Sequence, residues 1–263
     1  MRLHSRPRLG RFSGSAGFTL IELLTVIAII GILAAIVIPT VGSVRDKAQR
    51  AVDQTNIREI AKAASIYAQD NNDSLPDPQP TSIPATVLNA QQRAFLWPGI
   101  IARNGILMDP KIYFSKLDPA FTGTYPPSIM NQTDTTKRSL DNTFVQSRAI
   151  AYEFVGGLRT SDPATTPVVF TRGLQTNGTW SLNSGVYKDT GGYIAFLGGN
   201  VEWFTSTATP QPVFTSNNSA RKISNILQAI PFTPRLARIY GIPPTSGGIL
   251  GNPGAGTNAQ RGP

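Results

Sequence analysis

Apolar residues are distributed very unevenly along this 263-residue chain. One block near the start, GFTLIELLTVIAIIGILAAIVIPT from Gly17 to Thr40, is apolar on every side. Within it, Leu23–Val41 departs from apolar types only at Thr25, Gly31, Pro39 and Thr40. As a helix at about 1.5 Å per residue, that run spans about 28 Å, close to a bilayer's hydrocarbon core. Then VRDKAQRAVDQTNIREIAKAASIYAQDNN, Val44 to Asn72, is rich in helix formers and free of Gly and Pro. The pattern predicts one helix from Phe18 to Asn71, stopped by Asn71-Asn72 and Pro76. In its second part Val44, Ala48, Ala51 and Thr55 share one face, and Ile57, Ile60, Ala64 and Tyr67 share roughly the opposite one. Two apolar faces imply either a helix wrapped by its own domain or one covered on its second side by something else. Pro39 removes a backbone donor and predicts a kink.

Beyond residue 73 the pattern breaks into short elements. Residues 74–143 are rich in Pro, Thr and Asn and predict loops, with a short helix at Asn89–Trp97 ended by Pro98-Gly99. From about Ser147, RAIAYEFVGGL, TPVVFTRGL and NGTWSLN suggest short strands, or one strand and a helix. The firmest signal is GGYIAFLGGNVEWFTS, Gly191 to Ser206, where YIAFL and VEWF flank a Gly198-Gly199-Asn200 turn and predict a hairpin. Ile223, Ile226, Leu227 and Ile230 have helical spacing in Arg221–Ile230. From Gly241 the chain is rich in Gly, Pro, Ser and Asn and predicts disorder. The fold class expected is α+β: a long N-terminal helix on a small head with an antiparallel sheet.

Charge and composition narrow the chemistry. Of 24 basic residues, Arg2, Arg6, Arg8 and Arg11 precede Gly17 with no acid among them, leaving 20 against 15 acids. A basic flank before an apolar helix places residues 1–17 in the cytoplasm and the remainder outside. The apolar run exceeds a secretory signal's and no Ala-x-Ala follows it. The last acid is Glu202, after which come Arg221, Lys222, Arg235, Arg238 and Arg261. Such an end permits a polyanion partner, but a solvated basic tail is the simpler reading and nucleic acid is not expected. Cysteine is absent, so disulfides and thiolate metal sites are excluded, and the sole histidine is His4. No P-loop occurs. Asp189, with Thr190 and nearby glycines, is a weak calcium candidate, since one acid falls short of six to eight oxygens. Trp97, Trp180 and Trp203 suit a core, and Asn131–Thr133 has the form of a glycosylation acceptor.

Glu22 needs a special reason, because a carboxylate at membrane depth costs roughly 2.5–3.5 kcal/mol on insertion scales. Gly17, Phe18, Glu22, the apolar helix and Pro39 together resemble the N-terminal signature of type IV prepilins and of type II secretion pseudopilins, over about residues 11–72. The resemblance implies cleavage by a prepilin peptidase between Gly17 and Phe18, and N-methylation of Phe18. It implies that Glu22 pairs with the N-terminal ammonium of a neighbouring subunit. Expected partners are the peptidase, identical and related pilin subunits, an inner-membrane assembly platform and membrane lipid. No cofactor and no enzymatic activity are expected.

The expected organisation is a cleaved leader at 1–17, a membrane and assembly helix at 18–41 and its amphipathic continuation at 42–72. A periplasmic head at 73–240 and a disordered tail at 241–263 follow. The function expected is that of a pseudopilin polymerised from the inner membrane to drive protein secretion. Two alternatives stay open: a surface type IV pilin, and a signal-anchored periplasmic protein with an enzymatic or binding head.

Overall fold

The computed structural model describes residues 17–78, 94–137, 139–175, 177–207, 215–216, 219–220, 226–230 and 237–241. The chain divides into two units, residues 1–47 and residues 48–263.

Helix α1 is Leu20–Asp70, within two residues of the expected bounds at each end. Its start is a reciprocal cap. The Glu22 backbone N–H donates to Thr19 Oγ1 at 3.2 Å, and Thr19 N–H and hydroxyl donate to the Glu22 carboxylate at 2.8 and 2.7 Å. Its end is also local: Asn72 and Asp73 take left-handed backbones, and Asp73 N–H reaches back to the Ala68 carbonyl at 3.0 Å. The helix continues through Pro39. Proline offers no N–H there, so the Ala35 carbonyl lacks its usual helical donor.

In the first unit every large apolar side chain from Phe18 to Val44 is exposed. This part of α1 is long and apolar enough to cross a membrane, judged by length and composition alone.

In the second unit, α1 buries one stripe made by Asp53, Ile57, Ile60, Ala61, Ala64 and Ala68. Of the two expected faces, the one with Ile57, Ile60 and Ala64 joins the core. Ala48, Ala51 and Thr55 stay exposed, as does Val52.

The core is built on a five-stranded antiparallel sheet. Its strands are β1 Tyr152–Gly156, β2 Pro167–Thr171, β3 Gly192–Phe196, β4 Val201–Phe204 and β7 Arg238–Tyr240. The spatial order is β4-β3-β2-β1-β7, so β4 and β7 are the edges. A separate two-residue pair, β5 Thr215–Ser216 and β6 Ser219–Ala220, lies outside this sheet. Strands β1 to β3 are buried throughout, as near-continuous apolar runs require when both faces are covered. The hairpin β3–β4 forms where the Gly-Gly-Asn signal stands, with Gly199 at a φ of +87° that suits glycine. The fold is α+β, as expected.

Three local expectations need correction. Pro98-Gly99 does not end a helix; it lies inside α2, Leu96–Arg103. Pro98 occupies the third helical position, where an N–H has no intrahelical acceptor, so proline costs little. The helix stops instead at Asn104 and Gly105 (φ +73°). NGTWSLN forms no strand among its described residues; Trp180 makes a single bridge to Leu174. In Arg221–Ile230 the described part is a 3-10 turn at Ile226–Ala229, and residues 221–225 lie outside the described residues. The disorder expected over 241–263 falls on residues outside them too, apart from Gly241. Elsewhere, Asp109 and Asp141 cap a 3-10 turn at Pro110–Tyr113 and α3 at Asn142–Gln146, each accepting backbone N–H groups.

Candidate functional site

At the start of the described chain, Phe18 is 77% exposed and Gly17 precedes it in an extended approach to α1. A Cβ built at Gly17 would meet nothing within 4 Å. Packing among the described residues therefore gives no reason for glycine at this position. The Glu22 carboxylate is exposed and, among the described residues, is engaged through Thr19, which follows the residue that a cut after Gly17 would make the N-terminus. The T-x-x-E spacing shows in the sequence, yet the expectation above gave Glu22 only its intermolecular role.

A second cluster, in the other unit, was missed. Asp53 of α1 is 0% exposed. Its carboxylate accepts from Ser115 Oγ at 2.6 Å, Tyr187 OH at 2.8 Å and Gln49 Nε2 at 3.0 Å, and its backbone carbonyl accepts from Tyr152 OH at 3.3 Å. Burial pushes the Asp53 carboxyl upward against these donors. One turn earlier, the Arg50 guanidinium lies 4.8 Å from the Trp203 ring and 5.3 Å from that of Tyr187. These contacts lock the rotation of this part of α1 and turn Ala48, Ala51, Val52 and Thr55 outward. A sequence signal existed: Asp53 is four residues before Ile57, on the stripe that Ile57, Ile60 and Ala64 define.

Asp53→Ala strands two buried hydroxyls, and the expected loss is about 2–6 kcal/mol at roughly 1–3 per unsatisfied group. Asp53→Asn, which keeps an acceptor, should lose less. Urea unfolding of the full chain in detergent, followed by tryptophan fluorescence, measures both. Equal stability of Asp53→Ala and the parent would remove the latch.

The third cluster is ionic. Arg172, just past β2, uses its whole fork: Nη2 donates to Asp118 Oδ1 at 2.6 Å, Nη1 to the Ile150 carbonyl at 2.8 Å and Nε to the Ser184 carbonyl at 3.0 Å. Burial raises the Asp118 carboxyl, and the guanidinium offsets this only in part.

Other candidates are placed as follows. Asp189 is exposed in the turn after Tyr187, and no group of three or more acids or histidines able to hold a metal occurs among the described residues. Trp97 and Trp180 are core; Trp203 is half-buried under Arg50. The Asn131 side-chain oxygen accepts from Thr133 N–H and hydroxyl at 3.0 and 2.7 Å. Arg238 is half-buried on β7, and Arg235 lies outside the described residues.

Comparison with known proteins bears on the first site. A family model described as the prokaryotic N-terminal methylation motif matches residues 12–38. Type II secretion system core protein G of Pseudomonas aeruginosa is 48% identical over 56 residues, which cover 21% of this chain and 39% of that protein. The type IV wide pilus major component PilA4 of Thermus thermophilus is also 48% identical over 56 residues, 21% of this chain and 43% of that protein. Core protein G of Klebsiella michiganensis is 39% identical over 62 residues, 24% of this chain and 44% of that protein. The chain thus spans less than half the length of these relatives. No solved structure matches it significantly. The N-terminal segment carries a prepilin-type methylation motif. Its relatives are named as components of a secretion system and of a pilus, and none of these names is that of an enzyme.

Proposed function

We propose that this chain is a filament subunit of the pseudopilin kind. A prepilin peptidase cuts between Gly17 and Phe18 and methylates the new amine. Residues 18–41 hold the subunit in the inner membrane with its head in the periplasm. An assembly platform then draws subunits into a pseudopilus that drives protein secretion, and Glu22 of each pairs with the Phe18 ammonium of a neighbour. The observation that carries this is the motif match at residues 12–38, where α1 begins with every large apolar side chain exposed as far as Val44. The outward face at Ala48, Ala51, Val52 and Thr55 supports it, as it leaves room for a neighbour beside the same helix. We propose no catalytic role for the head. The similarity to a wide-pilus component supports a second reading, a subunit of a surface type IV pilus.

The test is mass spectrometry of the chain from the membrane fraction of cells that carry a prepilin peptidase. The expected N-terminus is N-methylated Phe18. Gly17→Ile should stop processing almost completely while the chain still enters the membrane, because only the protease cleft demands a small residue here. A chain that keeps Met1, or is cut after residue 40, would sink the reading. Immunogold labelling of filaments beyond the outer membrane, against none, separates the pilus from the pseudopilus.

A further inference from the structure

Strand β7 closes the sheet beside β1, with Phe154 opposite Tyr240, Val155 opposite Ile239 and Gly156 opposite Arg238. One step further this register sets Gly241 opposite Glu153. The approach is close: a Cβ at Gly241 would lie 2.9 Å from Glu153 Cγ and Cδ and 3.0 Å from Oε1. Bare glycine backbone thus covers the carboxyl, and a larger residue would press on the Glu153 side chain.

Glu153 is an odd residue for the inside of a sheet. Tyr152 and Phe154 point toward α1 and α2, through the Tyr152 bond to Asp53 and the 4.6 Å stack of Phe154 on Trp97. Alternation then sends Glu153 to the other face, level with Phe170 of β2 and Ile194 of β3. It is 2% exposed, and its Oε2 has no hydrogen-bond partner. Gly173 N–H donates to the carboxyl. The charged group facing it is Arg172 at the end of β2, whose fork is spent on Asp118, Ile150 and Ser184. On the β7 side, the Tyr240 hydroxyl is given to Asp77 at 3.0 Å, and Arg238 stands at Gly156. One guanidinium serves two buried carboxyls and bonds Asp118 of the two, so burial favours the neutral acid at Glu153.

We propose that β7 is a releasable edge strand held in place by the protonated form of Glu153. When the carboxyl ionises, Arg238–Tyr240 leaves the sheet, water reaches Glu153, and β1 becomes the open edge. Of the two strands beside β1, β7 is the one that can leave, because it is an edge and the other neighbour is the central strand β2. A bare β1 edge is a template for an added strand.

Burial raises the Glu153 carboxyl from the ordinary 4.5 to about 8. With the folded value above the unfolded one, the seated form is fully favoured below about 4.5 and loses ground as pH rises through about 8. The test is hydrogen exchange of the full chain in detergent micelles, normalised to the unstructured rate at each pH. Between pH 7 and 9.5, protection of segments 237–241 and 152–156 should fall roughly tenfold and level off above the titration point, the steep range of tenfold per pH unit lying below it. Segments 167–171 and 192–196 should keep theirs. Glu153→Gln should abolish the pH response, and Gly241→Ala should open the same two segments already at pH 7. The proposal is overturned if the sheet opens as a whole, if Glu153→Gln responds to pH like the parent, or if Gly241→Ala leaves β7 protected.

Discussion

Glu22→Val should be processed and inserted normally and yet fail to form filaments on its own. In the proposed filament the Phe18 ammonium of one subunit meets the Glu22 carboxylate of the next within the apolar helix bundle. Valine leaves that ammonium unpaired. At roughly 3 kcal/mol, the loss weakens each subunit addition about a hundredfold. The structure adds a second consequence, since Glu22 also closes the Thr19 cap of α1. Loss of a cap costs about 0.5–2 kcal/mol of helix stability. Glu22→Gln separates the two roles, because glutamine can close a capping box but carries no charge. Sheared-filament yield from cells that make only the variant is the measurement. If Glu22→Gln assembles like the parent, capping is the function of residue 22 and the ion pair is wrong. If both variants fail while their N-termini are methylated normally, the ion pair stands.

Arg172→Met should be the most damaging single change in the head. It removes the guanidinium that compensates Asp118, whose side chain is 0% exposed, and leaves the Ile150 and Ser184 carbonyls without this donor. Breaking a buried pair on one side costs about 3–5 kcal/mol. The loss should be largest near neutral pH and smaller in acid, where Asp118 can be protonated. Adding Asp118→Leu should recover part of it, since a buried pair replaced on both sides by apolar groups is often neutral. Urea unfolding of the full-length parent, single and double variants gives the coupling. A double variant no more stable than Arg172→Met would show that Asp118 is not what Arg172 compensates.

Several parts of this molecule were legible residue by residue. The apolar run, the helix formers of Val44–Asn72 and the Asn71-Asn72 stop yield α1, since each acts within one or two helical turns. The Gly198-Gly199-Asn200 turn yields β3–β4 for the same reason. Gly17, Phe18 and Glu22 stood out because their order along the chain is itself the signal. Pro98-Gly99 misled because proline's effect depends on its position in the helix, and that position is set by the turn before it.

The buried polar groups were not legible. Ser115 is 62 residues from Asp53 and Tyr187 is 134, while Arg172 is 54 residues from Asp118. Spacings of that size leave no periodicity. The sequence alone determined α1, one hairpin and the N-terminal methylation motif, because short-range sterics, helix propensity and hydropathy act locally. Only the tertiary structure decided which face of α1 is covered, which carboxyl Arg172 compensates and that Gly241 lies over Glu153. Those outcomes depend on desolvation, and a side chain loses its water only when distant segments close around it.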